Sequence, residues 1–116
     1  MGEQRRTRRA PLDVYMNKYI SGIPHTSRIQ DISPEGVSLA RLLEPEHSGK
    51  RVGLQFQLPG QDRIITAAGR VIYEHPWLAA TGVLFTNVSL EHRELIERFI
   101  LAQLDWKRAL EEVRAS

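Results

Sequence analysis

The sequence predicts a single small domain that is mainly β and ends in one C-terminal helix. Short segments with alternating apolar and polar residues recur between residues 11 and 87, and turn-forming residues separate them. From Ser89 onward the apolar residues recur with a helical period instead. The 116 residues suffice for one hydrophobic core. We therefore expect six antiparallel strands closed into a barrel, because closure removes the exposed edges of a sheet.

The first half of the chain contains three predicted strands. The first runs from Pro11 to Ile20, and the mixed polar segment 21–25 is predicted to break it. The second covers about Thr26 to Ile32. The tetrapeptide Ser33-Pro34-Glu35-Gly36 has the composition of a β-turn, so the third strand is expected over Val37 to Leu43.

Three further strands complete the predicted barrel. Arg51 to Leu58 shows the clearest alternation in the chain, with every second residue apolar. Longer runs follow at Asp62 to Glu74 and at Ala79 to Asn87. Gly69 and Gly82 lie inside these runs, where a glycine indicates a bulge or a close backbone approach.

The last segment, residues 89–114, is predicted to be a helix. Ser89 is a suitable N-cap and Glu91 places a negative charge in the first turn. The apolar stripe of the first half is expected to pack against the barrel, which spans residues 11–100. The members of this helical stripe are Leu95, Ile96, Phe99, Ile100 and Leu104. Trp106, Leu110 and Val113 continue an apolar line, which leaves three possibilities open: a homodimer contact, a partner contact, or packing back onto the barrel.

Composition excludes several classes of function. The formal net charge is +2, but residues 1–9 carry a local charge of +3 and the remainder carries −1. A protein that binds long nucleic acids usually has a basic surface on its folded domain. Here the positive excess lies in residues 1–9, so nucleic acid is not expected as a partner. No apolar run is long enough for a membrane span and no signal peptide is evident, so a cytoplasmic location is expected. The chain has no cysteine and no metal-like histidine spacing, and no catalytic constellation is recognisable, so neither a metal site nor an enzyme is expected.

Two short motifs point to a binding site. Arg5-Arg6-Thr7-Arg8-Arg9 places four guanidinium groups within residues 1–10, a predicted flexible arm. Each guanidinium can donate two parallel hydrogen bonds to a phosphate or a base edge. Asp31 offers acceptors and Ser33 a hydroxyl, while Gly36 allows either a positive φ or the close approach of a ligand.

The order Arg-x-x-x-Arg followed by Asp-x-Ser-x-x-Gly, ahead of apolar strands, resembles the PilZ domain family. The strand order, the Gly-Arg-Val segment at 69–71, the Gly-Val-Leu-Phe segment at 82–85 and the final helix are similar to the family as well. The resemblance implies a PilZ-type β-barrel that binds the second messenger cyclic di-GMP. It further implies a bacterial receptor, not an enzyme, that relays the signal to a protein partner in motility, surface attachment and biofilm formation, or exopolysaccharide production.

The resemblance also implies roles for individual residues. Arg5 and Arg9 would contact guanine O6 and N7 and phosphate, with Arg6 and Arg8 as secondary phosphate contacts. Asp31 would accept hydrogen bonds from guanine N–H groups. Ser33 and the backbone near Gly36 would complete the pocket. Ligand would order the arm over the barrel and so create a new surface for the partner.

Plainer interpretations stand beside each of these predictions. An arginine cluster at a terminus is often a solvated tail, and Asp31 to Gly36 also fits a simple turn between strands. Trp77 could cover a ligand base or cap the rim of the barrel. Since only four residues precede Arg5, we expect a free-standing receptor or adaptor. The principal alternative is an adaptor that keeps the fold for protein contacts and binds no nucleotide.

Overall fold

The computed structural model describes residues 9–40, 50–75 and 80–115. Six antiparallel strands form a closed barrel in the order β1-β2-β3-β6-β5-β4, and one helix follows. The predicted fold class is therefore confirmed. The elements are β1 (Ala10–Ile20), β2 (Ile23–Ile32), β3 (Gly36–Ala40), β4 (Arg51–Gln57), β5 (Ile64–His75), β6 (Ala80–Val88) and α1 (Leu90–Ala115). Residues 41–43, predicted to extend the third strand, and Trp77 lie outside the described residues.

The core fills the barrel and extends under the helix. In β4 the alternation is as predicted: Val52, Leu54 and Phe56 are buried while the residues between them are more exposed. Four helix residues join the same cluster, namely Leu95, Ile96, Phe99 and Ile100. The inward face of β1 also carries Lys18, which is fully buried.

The connection between β1 and β2 corrects one expectation. The predicted break at 21–25 is confined to Ser21 and Gly22, which form a two-residue hairpin turn with φ values of 52° and 81°. Positive φ values at both central residues are typical of tight hairpin turns, because the backbone twist of such a turn matches the twist of the two strands that it joins. Pro24 continues the strand opposite Tyr19. Among the described residues, the pairing of β2 with β3 begins only at Arg28, so Pro24 has a described partner strand on one side only, and a proline is tolerated at such a position.

A bulge near the end of β2 sets the direction of its last side chains. Ile29 pairs with Leu39 and Asp31 with Ser38, so Gln30 is an extra residue relative to β3. The bulge shifts the alternation by one position, and Ile29 and Ile32 both point into the core. Asp31 is consequently turned toward the surface and is half-buried.

The helix is fixed to the barrel at its N-terminal end. The Ser89 hydroxyl accepts a hydrogen bond from the His92 backbone N–H at 3.2 Å, which confirms the predicted N-cap. Gln61 Nε2 donates to the Leu95 carbonyl at 2.9 Å. The Arg63 guanidinium lies 2.6 Å from the Glu91 carboxylate and holds the pKa of that carboxyl below its usual value. No helix in the described part of the chain has the length and apolar character that a bilayer crossing requires.

Candidate functional site

The predicted site residues that the structure describes lie together at one edge of the barrel. Arg9 directly precedes β1, and Asp31 lies opposite Pro11 on the neighbouring strand. The Arg9 guanidinium forms an ion pair with the Asp31 carboxylate, although the two residues are 22 positions apart in the chain. Both side chains keep partial solvent contact, with 49% and 32% of their surfaces exposed. Arg5, Arg6 and Arg8 lie outside the described residues.

The turn between β2 and β3 is held by the Ser33 side chain. The hydroxyl of Ser33 accepts hydrogen bonds from the backbone N–H groups of Glu35 and Gly36, both at 3.3 Å. The backbone adds a bond from Ser33 N–H to the Gly36 carbonyl at 2.9 Å. Ser33 is only 2% exposed. Its hydroxyl is therefore directed into the turn, where it shapes one wall of the site.

Gly36 is required by strand packing. Its φ does not lie in the left-handed region, so of the two reasons the sequence left open, a positive φ is wrong. A Cβ at this position would overlap the backbone carbonyl of Val83 on β6. The Phe85 N–H also donates to the Glu35 carbonyl at 2.7 Å. The turn therefore packs directly against β6, and this contact fixes its distance from β5 and β6.

A cleft of about 220 Å³ lies between this turn and the strands β5 and β6. We call it the Arg9 cleft. Arg9, Ser33, Glu35 and Gly36 line one side, and the opposite side is largely apolar. The apolar side is formed by Ile72, Tyr73, Gly82, Val83 and Leu84, together with Val37 from β3. Asp31 is joined to the cleft through its ion pair with Arg9.

Tyr73 is the aromatic residue of the cleft, and the sequence analysis did not assign it to the site. Tyr73 pairs with Gly82 across the sheet, and a Cβ on Gly82 would overlap the tyrosine ring. The glycine thus lets the ring lie flat over β6, with 37% of the residue exposed. A register shift between Val71 and Tyr73 turns both Ile72 and Tyr73 toward the surface, so strict alternation fails here. The predicted bulge or close approach at Gly69 and Gly82 is confirmed, because Gly69 also lies at a register shift.

The chemistry of the cleft combines donors, acceptors and an apolar face. Arg9 supplies guanidinium donors, and Asp31 supplies carboxylate acceptors beside them. Tyr73 and Ile72 offer a face on which a planar ring can pack. Glu35 adds a negative charge to the same lining, so an anion is favoured next to Arg9 and disfavoured next to Glu35. In the described ranges no group of His, Asp or Glu side chains could hold a metal ion.

Together these features define a small β-barrel domain with a cleft at one edge of the barrel, where a guanidinium, a carboxylate and an aromatic ring lie close together. A family model described as "PilZ domain" matches residues 3–102, and the chain belongs to the PilZ domain family. No curated protein matches the chain. PilZ domains are binding and adaptor domains and generally take cyclic di-GMP, although some members do not bind it.

Two solved structures are similar in fold. One is the inhibitor of motility MotI/DgrA of Bacillus subtilis, with a TM-score of 0.78 and 14% identity over 92% of this chain. This chain covers 54% of that protein, about half its length. The other is the PilZ domain of CeSA from a cellulose-synthesising bacterium, with a TM-score of 0.62 and 16% identity over 81% of this chain and 95% of that domain. At these identities the likeness concerns the fold.

Proposed function

We propose that this chain is a cytoplasmic bacterial receptor for cyclic di-GMP. The single observation that carries the proposal is the ion pair of Arg9 and Asp31 beside the turn Ser33 to Gly36. Arg9 from the first motif and Asp31 from the second are thereby paired next to one cleft. Membership of the PilZ family supports the same ligand class.

The ligand presents two phosphates and two guanines, and the cleft offers a counterpart to each. Guanine O6 and N7 accept hydrogen bonds, for which Arg5 and Arg9 are the proposed donors. The N–H groups on the opposite edge of guanine donate, for which Asp31 is the proposed acceptor. Arg6 and Arg8 are proposed as secondary phosphate contacts. Ser33 and Gly36 act through the turn that they shape.

Tyr73 extends this proposal to the apolar side of the cleft. A guanine that entered between Arg9 and Tyr73 would meet guanidinium donors on one side and the aromatic ring on the other. Stacking of a base on an aromatic side chain contributes about 1–3 kcal/mol. Substitution of Tyr73 by alanine should therefore weaken binding without removing any charge.

The size of the cleft supports an ordering mechanism. Sites for drug-sized ligands usually have volumes of about 300–1,000 Å³, whereas the Arg9 cleft has about 220 Å³. The cleft therefore suits one base, and the rest of the dinucleotide would need another cover. Because Arg9 belongs to the predicted arm of residues 1–10, the part of the arm that precedes it is the proposed cover. Ligand would then order the arm over the barrel and present a new surface to a protein partner.

The output we propose is a ligand-dependent protein interaction in motility, surface attachment or exopolysaccharide production. The fold neighbour MotI/DgrA is described as an inhibitor of motility, which supports the first of these outputs. The alternative is an adaptor that binds no nucleotide. The Arg9–Asp31 pair favours this adaptor function in one respect, because each of the two side chains already has a partner without ligand.

Calorimetric titration of site variants tests the proposal. Arg9→Ala should weaken cyclic di-GMP binding at least tenfold, because a hydrogen bond to a charged group is worth about 1.5–3 kcal/mol. Arg93→Ala is the matched control, since it removes the same charge from an exposed helix position away from the cleft. Equal affinities of the two folded variants would contradict the proposed site. Absence of binding by the folded wild type would support the adaptor.

A further inference from the structure

The C-terminal end of α1 extends past the barrel. The buried helix residues lie between Leu95 and Ile100, whereas almost every residue from Asp105 to Ala115 is exposed. Trp106 and Val113 have 63% and 71% of their surfaces exposed. The longest dimension of the molecule is 51 Å, against 32 and 27 Å for the other two. Packing of these two side chains back onto the barrel, one of the three possibilities left open by the sequence, is thus not what the structure shows.

The apolar residues at this end of the helix, two exposed and Leu110 half-buried, follow a heptad pattern. Trp106, Leu110 and Val113 are separated by four and three residues, the spacing of the contact positions of a coiled coil. We call these three residues the distal stripe. The same spacing reaches back through Gln103 and Phe99, which face the barrel side of the helix. The distal stripe is therefore a continuation of the buried face beyond the end of the barrel.

We propose that the distal stripe binds the distal stripe of a second copy of this chain, with the two helices antiparallel. The barrel of each copy occupies the same helix face at its N-terminal half, so a parallel partner would run into that barrel. An antiparallel partner avoids this clash, because its own barrel lies beyond the C-terminal end of the first helix. Leu110 then lies near the two-fold axis, and each Trp106 faces the smaller Val113 of the other copy. Such a self-complementary surface is what a two-fold dimer requires.

The charges around the stripe favour a second copy over a membrane surface. Residues 105–114 carry three acidic and three basic side chains, so the end of the helix is neutral. Two neutral ends do not repel each other, whereas an amphipathic helix that binds anionic lipid needs a basic face. The acidic residues are Asp105, Glu111 and Glu112, and the basic ones are Lys107, Arg108 and Arg114.

The area available implies a weak dimer. Two buried tryptophans contribute roughly 150–250 Å² each, and four aliphatic side chains add to this. The total stays below the about 1,200 Å² of standard specific interfaces and falls in the range of weak, transient contacts. We therefore expect a dissociation constant in the micromolar range and an oligomeric state that depends on concentration.

Sedimentation equilibrium over a concentration series tests the association. The wild type should move from 13.3 kDa toward twice that mass, and Leu110→Glu should stay monomeric. Leu101→Glu is the matched control, because Leu101 is an exposed leucine of the same helix that lies off the stripe; this variant should dimerise like the wild type. A wild type that stays monomeric at all concentrations overturns the proposal, whether it binds another protein or nothing. Equal loss of dimer in both variants also overturns it.

Single-cysteine variants test the orientation, because the natural chain contains no cysteine. In the antiparallel dimer Leu110→Cys should form a disulfide with its own counterpart. Val113→Cys should not, since its two copies lie about 9 Å apart along the axis at 1.5 Å per residue and a disulfide needs Cα atoms within about 7 Å. A mixture of Trp106→Cys and Val113→Cys should give the mixed disulfide. Efficient self-linking of Val113→Cys would overturn the antiparallel arrangement.

Discussion

Ser33→Ala isolates the hydroxyl that holds the turn beside the Arg9 cleft. The hydroxyl is buried and accepts two backbone hydrogen bonds, from Glu35 and from Gly36, each at 3.3 Å. Its removal leaves those two N–H groups without this acceptor. The substitution changes no charge and leaves Arg9 and Asp31 in place. Any loss of ligand affinity in this variant therefore reports on the shape of the turn.

The magnitude follows from the geometry of these bonds. An unsatisfied buried donor costs about 1–3 kcal/mol; both bonds are long and Glu35 is an exposed residue, which places the cost per donor near or below the lower limit. The turn keeps its backbone bonds from Ser33 to Gly36 at 2.9 Å and from Phe85 to Glu35 at 2.7 Å. We expect the free energy of unfolding to fall by about 1–3 kcal/mol in total. With urea slopes of about 1–3 kcal/mol per molar, the midpoint should fall by about 0.3–3 M.

Urea denaturation and calorimetry of the same variant give the two readouts. Ser27→Ala is the control, because Ser27 is equally buried and donates to the Ala40 carbonyl at 3.0 Å, on the pairing of β2 with β3 away from the turn. Both variants should lose stability, but only Ser33→Ala should weaken cyclic di-GMP binding, by about 3–10-fold for 0.7–1.4 kcal/mol. An unchanged urea midpoint for Ser33→Ala would refute the structural role of its hydroxyl. Equal losses of affinity in the two variants would refute the specific link between turn and site.

Three further predictions concern the packing around the site and the start of the helix. Gly36→Ala should destabilise the barrel by more than about 2 kcal/mol in urea denaturation, because the added methyl overlaps the β6 backbone. Gly82→Ala should displace the Tyr73 ring, lower stability by about 1–3 kcal/mol and weaken ligand binding in calorimetry; unchanged affinity would exclude Tyr73 from the site. Glu91→Gln should lower the melting temperature slightly at pH 7, because the ion pair with Arg63 lowers the carboxyl pKa in the folded state. The stabilisation by this ion pair is present above pH 4.5, the ordinary pKa of the carboxyl, and is lost as the pH falls through the lowered pKa. The melting temperatures of variant and wild type should therefore converge in acid, and they should converge in high salt because salt screens the ion pair.

The architecture could be predicted from the sequence because its strands and helix obey simple periods. β4 alternates without interruption, and the helix begins at a serine cap followed by an apolar stripe. Pro24 was the exception, since proline usually ends a strand. It is tolerated because, within the described residues, that end of β2 pairs only with β1, a fact of topology that local sequence does not contain.

The candidate site could be predicted only in part, because bulges decide which side chains reach it. Asp31 was assigned to the site from its motif, but its pairing with Arg9 depends on the extra residue Gln30. Tyr73 was missed because strict alternation would have placed it on the opposite face from Ile72. A bulge depends on the register in which two strands pair, and the alternation within one strand gives little sign of that register.

Isothermal titration of the wild type with cyclic di-GMP at physiological salt is the most direct test of the proposed receptor. We expect saturable binding that cyclic di-AMP does not reproduce, because Arg9 and Asp31 together match the two hydrogen-bonding edges of guanine. GTP should not reproduce it either, because it offers one guanine instead of two. The stoichiometry from the same titration would show whether one or two dinucleotides occupy the site. A folded wild type that gives no heat with cyclic di-GMP, or the same affinity for all three nucleotides, would contradict the receptor function.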